Sequence, residues 1–158
     1  MRIVWISAVI AFVLDQVSKY LVIHVMGVNG GRVVDVLPPL IRFAYGENRG
    51  INFGLFAGAI PVWALVAVAL VICVGVLWWV WRVPQPPLAR VAAGLLVGGA
   101  LGNVFDRLIY GYVLDFLNTS CCGLNNPSVY NVADIFIFAG AIGLVFFGKE
   151  TAKAKKGA

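Results

Sequence analysis

The sequence predicts an α-helical integral membrane protein with four transmembrane helices, on three observations. Hydrophobic side chains make up 61% of the 158 residues, against roughly 45–50% for a soluble domain. Only 12% of the residues are charged, about half the usual share. Four apolar runs approach the roughly 20 residues that cross a bilayer. Polar side chains are too few to cover a water-soluble globule, so lipid is expected to cover the apolar ones.

The first apolar run extends from Ile3 to Val25 and is interrupted by Asp15 and Lys19. A cleavable signal peptide is the competing interpretation, because Arg2 precedes the run. Two charges inside the run and the lack of a clear A-x-A cleavage motif argue against it. We therefore expect this segment to be the first transmembrane helix.

The second run is the cleanest, because it contains no charged residue. It starts beside Pro61, which a first helical turn tolerates, and ends at tryptophans and Arg82, as at a membrane interface. The third and fourth runs are apolar for most of their length and carry polar residues near one end. The predicted spans after the first are 60–80, 91–112 and 130–147.

The distribution of lysine and arginine predicts the orientation. Four spans place both termini on the same side, and that side would hold seven cations, against four on the other when Arg107, near the outer end of the third span, is included. By the positive-inside rule both termini are cytoplasmic. We expect one multi-pass domain, residues 1–158, in contact with membrane lipid.

A polar segment, residues 27–59, separates the first two spans. Val33 to Leu37 and Leu40 to Tyr45 have the pattern of short strands, which predicts a small extracytoplasmic β-sheet. Apolar residues between positions 51 and 56 predict a short amphipathic segment along the membrane surface. The alternative interpretation is that residues 27–59 form a loop that covers the ends of the helices, which the same pattern allows.

Polar residues inside the spans fall at similar depths. With a rise of 1.5 Å per residue, Asp15 and Asn103 lie about 18 Å from the cytoplasmic end, and Lys19, Asp106 and Arg107 about 22 to 24 Å. The fourth span starts outside, so Asp134 lies only about 6 Å below its start. Asp115 follows the end of the third span. These groups are expected to meet in the outer third of the bilayer, where buried polar residues indicate function.

Some of these groups also have a purely structural explanation. Asp15 and Lys19 are four residues apart on one helix face and can pair with each other. Asp106 and Arg107 can likewise be structural. Asp115 and Asp134 differ, because each follows apolar residues and has no obvious counter-ion, a pattern that favours acid/base chemistry.

Two mechanisms suit such a pair of carboxylates. One carboxylate can keep a proton while the other accepts one from water, which then attacks a peptide carbonyl; this is aspartic proteolysis. The rival is a proton-coupled antiporter, although its site is expected nearer the midplane. A non-enzymatic membrane scaffold would leave the buried acids unexplained.

Metals, cofactors and nucleic acid are not expected. The chain has one histidine, His24, and three dispersed cysteines, which offer no zinc ligand set. The net charge of +5 comes from cations at the ends of apolar runs and in the C-terminal tail. That placement suits topology or anionic lipid rather than nucleic acid.

Four motifs together resemble bacterial signal peptidase II, the lipoprotein (prolipoprotein) signal peptidase. They are DQVSK from Asp15 to Lys19, GNVFDR from Gly102 to Arg107, VLDF from Val113 to Phe116, and YNVAD from Tyr130 to Asp134. The resemblance covers nearly the whole chain. It implies an aspartic endopeptidase of the inner membrane, without metal or cofactor, that cuts before the diacylglyceryl-cysteine of prolipoproteins.

The resemblance also assigns roles to residues. It implies that Asp115 and Asp134 are the catalytic pair and that the extracytoplasmic sheet cradles the substrate. It further implies an active site near the outer leaflet, and we expect the chain to work as a monomer. Arg49, Ile51 and Asn52 depart from the family pattern. The implied substrate-binding or supporting residues are Asp15, Lys19, Asn48, Gly50, Asn103, Asp106, Arg107 and Asn131.

Overall fold

The fold was derived from a computed structural model, which describes residues 1–50, 60–120 and 126–148. Within these ranges the chain forms four α-helices and one small sheet. The helices are α1 (Arg2–Lys19), α2 (Val62–Arg82), α3 (Pro87–Tyr110) and α4 (Val132–Phe147). The strands are β1 (Val34–Leu37), β2 (Ile41–Asn48) and β3 (Val113–Thr119).

The α1 helix presents one face to the protein. Its buried residues include Val4, Ala8, Ala11, Asp15 and Lys19, which recur every three or four positions and therefore form a single stripe. The opposite face is apolar and exposed, as expected for contact with lipid. Immediately after this stripe the helix widens into a π-helical turn, Tyr20–Val25.

The α3 helix is the centre of the bundle and packs on α1, α2 and α4. Gly94, Gly98 and Gly102 form a ridge with a spacing of four residues that lies against α1. A Cβ atom at Gly98 would collide with the main-chain oxygen of Ala8. Glycine therefore lets the two backbones approach closely, as small residues do in membrane helix pairs.

The α2 helix packs on α3 only lightly. Among the three described helical segments of 18 residues or more that are apolar enough to cross a membrane, it has the highest mean hydropathy, 2.5, yet only 11% of its most apolar window is buried inside the protein. A helix that is apolar on all sides and mostly exposed suits a lipid environment.

The sheet differs from the predicted one in its third strand. The order is β1-β2-β3, with both pairs antiparallel, and the first two strands lie close to their predicted positions. The third strand, Val113–Thr119, comes from the chain after α3 and not from residues 27–59. The two predicted strands are thus present, and the sheet has a third strand that the sequence analysis did not identify. The consequence is that Asp115 lies on the sheet, opposite Gly46.

Three helical segments are long and apolar enough to cross a membrane: Arg2–Val25, Val62–Arg82 and Pro87–Tyr110. The α4 helix is apolar but has only 16 residues. The predicted bounds of the third span were displaced, because the helix begins four residues earlier, at Pro87. The fourth begins two residues later than predicted, at Val132. The predicted amphipathic segment, Cys121 and Cys122 lie outside the described residues.

Candidate active site

The predicted site residues lie together where one end of α1 and α3 meets β3 and the start of α4. Hydrogen bonds and ion pairs join them into one connected group, although they come from distant parts of the chain. The group consists of Asp15, Lys19, Asn48, Gly50, Asn103, Asp106, Arg107, Asp115, Asn131 and Asp134.

Asn131 links the two aspartates that the sequence singled out. As the N-cap of α4 it accepts the backbone N–H of Asp134 on Oδ1 at 2.9 Å, and its own backbone N–H points to Asp134 Oδ2 at 3.3 Å. This reciprocal capping box places Asp134 in the first turn. The amide Nδ2 of Asn131 donates to Asp115 Oδ1 at 2.6 Å. A single residue thus contacts both carboxyl groups, that of Asp115 through its side chain and that of Asp134 through its backbone.

Asn103 completes the surroundings of the pair from α3. Its Nδ2 donates to Asp134 Oδ1 at 3.0 Å, while its Oδ1 accepts from Asn131 Nδ2 at 3.1 Å. Asp134 therefore receives N–H donors on both oxygens, which favours its ionised form. The two aspartates are thus held by the neutral amide groups of Asn103 and Asn131, which do not neutralise a carboxylate as a cation would.

Asp115 is buried on β3 and is 1% exposed. Burial is the main reason that the pKa of its carboxyl group is raised to about 7, and the nearby charge of Asp134 acts in the same direction. Hydrogen bonds from Asn131 and Asn48 partly oppose this shift, because they stabilise the carboxylate. Near neutral pH Asp115 can thus hold a proton.

A buried ion-pair cluster lies behind the aspartates. Lys19 Nζ is 2.7 Å from Asp15 Oδ2 and 2.7 Å from Asp106 Oδ2. The predicted pairing of Asp15 with Lys19 is present, and Asp106 shares the same lysine. Gln16 Nε2 also bridges the two carboxylates, at 3.1 and 3.0 Å. Sequence reasoning missed Gln16, although it satisfies the same criterion, a polar residue inside an apolar run.

Arg107 holds main-chain carbonyl groups. It donates to the oxygen of Gly50 at 2.8 Å and to that of Asn103 at 3.2 Å. The turn after β2 is further fixed by Asn48, whose Oδ1 accepts the Gly50 N–H at 3.1 Å. Arg107 and Asn48 thereby connect this turn to the two aspartates.

Arg49 projects away from this group. It is exposed, pairs with Glu47 at 2.8 Å and lies over the ring of Tyr112, with its Cζ 5.1 Å from the ring centroid. Its departure from the family pattern therefore leaves the contacts of the two aspartates unchanged. Ile51 and Asn52 lie outside the described residues.

Two cavities reach this group from different directions. One of about 470 Å³ lies between α2 and α3, is lined by apolar residues such as Val68 and Ile72, and ends at Asn103 and Arg107. The other, of about 360 Å³, is lined by residues of β2, by 127–129 and by Asp115. The first suits an apolar helical segment and the second an extended polar one.

Metal binding finds no support in the arrangement of side chains. Asp15 and Asp106 already bind an ammonium group. Over residues 1–50, 60–120 and 126–148, no three His, Cys, Asp or Glu side chains are grouped as a metal site. The chemistry available is that of two buried carboxyl groups that share Asn131, which is acid/base chemistry on a bound substrate.

Comparisons with known proteins agree on one family. The family model described as signal peptidase (SPase) II matches residues 7–148. The lipoprotein signal peptidase of Alteromonas mediterranea is 42% identical over 148 residues, covering 92% of this chain and 79% of the relative. That of Trichormus variabilis is 37% identical over 149 residues, covering 91% and 87%.

Solved structures give the same result at the level of the fold. A bacterial membrane enzyme solved in meso at 2.3 Å resolution superposes with a TM-score of 0.78. It is 28% identical in sequence, and the match covers 97% of this chain and 92% of that one. A second, solved at 1.9 Å, gives a TM-score of 0.76 with 92% of each chain covered.

Proposed function

The chain belongs to the signal peptidase II family and is thus a peptidase, and on that premise we propose that it removes signal peptides from lipid-modified prolipoproteins. The cut falls immediately before the diacylglyceryl-cysteine. Asp115 and Asp134 carry out the reaction, and it needs no metal or other cofactor.

The observation that carries this proposal is the sharing of Asn131 by two buried carboxyl groups. Two close carboxyl groups in a site of low polarity do not both ionise. The burial of Asp115 and the N–H donors around Asp134 favour a protonated Asp115 and an ionised Asp134. This is the state in which a carboxyl pair can activate water.

The reaction then follows from the positions of the protons. Asp134 accepts a proton from a water molecule as the water oxygen attacks the scissile carbonyl carbon. Asp115 gives its proton to the carbonyl oxygen, so that a neutral tetrahedral diol forms. The C–N bond breaks as Asp134 passes its proton to the leaving cysteine nitrogen and Asp115 takes back the hydroxyl proton. Both carboxyl groups return to their starting states.

The two cavities support a path for the substrate across the pair. The apolar cavity between α2 and α3 suits the hydrophobic part of the signal peptide. The polar cavity beside β2 suits the extended chain that follows the cut. The scissile bond would lie between them, with the acyl chains of the lipidated cysteine in the surrounding membrane.

The placement in the cell is part of the proposal. We assign the protein to the bacterial inner membrane as a single multi-pass domain that acts as a monomer, with four spans and both termini cytoplasmic. At 1.5 Å per residue α4 extends about 24 Å. This length is short for a transmembrane helix. The N-cap of α4, Asn131, contacts the buried site, so the helix need not begin at the outer surface.

Cysteine labelling tests this orientation. In a variant whose three cysteines are changed to serine, Asp35→Cys on β1 should react with a membrane-impermeant thiol reagent in intact spheroplasts. Pro84→Cys, between α2 and α3, is the matched cytoplasmic position and should react only after lysis. The reverse pattern would overturn the topology.

Substrate cleavage tests the function itself. Purified protein in detergent or liposomes is expected to cut a synthetic prolipoprotein peptide whose cysteine carries diacylglycerol, and not the same peptide without lipid. The rival function is tested on the same preparation: an antiporter in liposomes would dissipate a proton gradient across their membrane. Proton flux without cleavage would contradict the proposal.

The pH dependence of cleavage follows from the shifted pKa of Asp115. The pair needs one proton, and the pKa of Asp115 is raised to about 7, so kcat/KM should fall as the pH rises through about 7. Thermal stability measured at the same pH values separates this loss from unfolding. A rate that stays constant up to pH 9 in folded protein would show that Asp115 does not hold the essential proton.

A further inference from the structure

The backbone immediately before each of the two aspartates is held by a carboxylate. The N–H of Leu114, which precedes Asp115, donates to Asp106 Oδ2 at 3.1 Å. The N–H of Ala133, the residue before the other aspartate, donates to Asp15 Oδ1 at 2.9 Å. Two separate segments of the chain are thus anchored in the same way.

Both anchors are held by a single ammonium group. Lys19 Nζ lies 2.7 Å from Asp15 and 2.7 Å from Asp106, and all three residues are at most 2% exposed. Gln16 Nε2 also donates to both carboxylates. A continuous chain of contacts therefore runs from the backbone beside Asp115, through Lys19, to the backbone beside the other aspartate.

The lysine is needed to keep the two anchors together. Two buried carboxylates repel each other strongly in a site of low polarity, and removing a shared cation leaves that repulsion uncompensated. An ammonium group is compact and can direct its three protons to different acceptors. Its third neighbour is Asn103 Oδ1, at 3.5 Å.

Lys19 does not act on the aspartate pair by direct contact. In the part of the chain that the structure describes, its hydrogen bonds and ion pairs go to Asp15, Asp106 and Asn103, and none goes to Asp115 or Asp134. Its charge acts on the pair through space, and Asn103 joins it to Asp134. The backbone that carries the two aspartates is a further route, and it is the one that reaches both of them.

We propose that Lys19 is a positioning residue: by binding the two carboxylates that anchor Leu114 and Ala133, it sets the distance between the catalytic aspartates. The inference rests on the proposed function, because it assumes that Asp115 and Asp134 are the reacting pair. It predicts a loss in the chemical step without a loss in substrate binding.

Substitution of Lys19 by methionine tests this, because methionine keeps an unbranched apolar stem and removes the charge. We expect kcat to fall by about 10²-fold, since a shift of about 1 Å in a reacting group has that effect. The KM for the lipidated peptide should not change. A second probe is an uncleavable peptide that carries a tetrahedral carbon with a hydroxyl group at the scissile position, in imitation of the diol. Its affinity should fall together with kcat, because both carboxyl groups have to bind that hydroxyl group.

Pairs of substitutions test the coupling between the two anchors. Asp106→Asn keeps an oxygen for the Leu114 N–H but removes one of the repelling charges. The double variant Lys19→Met/Asp106→Asn should therefore retain more activity than the product of the single effects. Ser18→Ala is the matched control on the same helix, because within the described ranges its hydroxyl donates to the main-chain oxygen of Asp15 and to no other group. It should leave kcat unchanged.

Three results would overturn the inference. The first is a Lys19→Met enzyme with wild-type kcat. The second is a parallel loss of kcat, substrate affinity and folded fraction, which would make Lys19 merely structural. The third is a double variant whose losses multiply independently. If the wild-type protein itself does not cut the lipidated peptide, the proposed function fails instead, and that outcome is visible before any variant is compared.

Discussion

Replacing Asp115 or Asp134 by asparagine is expected to abolish cleavage while the protein stays folded and membrane-inserted. Asparagine keeps the shape of the side chain but cannot accept or give up the proton that the reaction moves. Loss of acid/base catalysis reduces rates by roughly 10²–10⁴-fold. Turnover of a lipidated prolipoprotein peptide by each purified variant measures the effect.

The double variant shows whether the two carboxyl groups act as one unit. Adding the second substitution to the first should cost little more, because effects within one catalytic unit are not additive. Asp35→Asn is the matched control, since Asp35 is an exposed carboxylate on β1 that pairs only loosely with Arg42, at 3.6 Å. Near wild-type turnover in either single variant would refute the mechanism, as would two losses that multiply.

Substitution of Gly98 by alanine is expected to destabilise the helix bundle. The new Cβ would collide with the main-chain oxygen of Ala8 and lie 2.9 Å from the Cβ of Ala11. The atoms of Ala8 in this collision belong to the backbone, which cannot change rotamer as a side chain can. The α1 helix therefore has to move away from α3. Overpacking of this kind costs about 1–3 kcal/mol. Heating the detergent-solubilised protein and measuring the monodisperse fraction should show a lower midpoint.

The α2 helix supplies the matched control for this experiment. Gly75 has no atom within 4 Å of an added Cβ, so Gly75→Ala introduces no collision. It should leave the midpoint unchanged or raise it slightly, because alanine favours helix more than glycine does, by about 1 kcal/mol. Equal midpoints for the two variants would show that the α1–α3 contact does not depend on glycine at position 98.

The polar residues of the site could be found from the sequence because a charge inside an apolar run is conspicuous. Asp15 and Lys19 are an example: their spacing of four predicts a shared helix face, and the two side chains are paired at 2.7 Å. What the spacing could not predict is the second acceptor of Lys19. Asp106 is far away in sequence, and only the packing of α1 on α3 brings it there.

The third strand was missed because it lacks the alternation that indicates a strand. From Val113 to Phe116 every residue is buried, so this part of the strand has no solvent-facing positions and its sequence resembles the end of the preceding apolar helix. The turn between them is marked by Gly111, which has a φ of 80° and ends α3. This glycine was the available signal for a break before Asp115.

The glycine ridge on α3 is also visible in the sequence. Gly94, Gly98 and Gly102 follow the spacing typical of closely packed membrane helices. The pattern alone does not name the partner helix, since α4 packs against the same helix at Gly99. The start of α3 was misplaced for a related reason. The predicted span began at position 91, although Pro87 was an available signal, because proline is favoured in the first turn of a helix.

The most direct test of the account is to map the bond that is cut and its dependence on the aspartate pair in one experiment. A lipidated prolipoprotein peptide is incubated with wild-type protein, Asp115→Asn and Asp35→Asn, and the products are identified by mass spectrometry. The account predicts a signal peptide that ends immediately before the lipidated cysteine with wild type and Asp35→Asn, and intact substrate with Asp115→Asn. Cleavage at another bond, or the same products from Asp115→Asn, would contradict it.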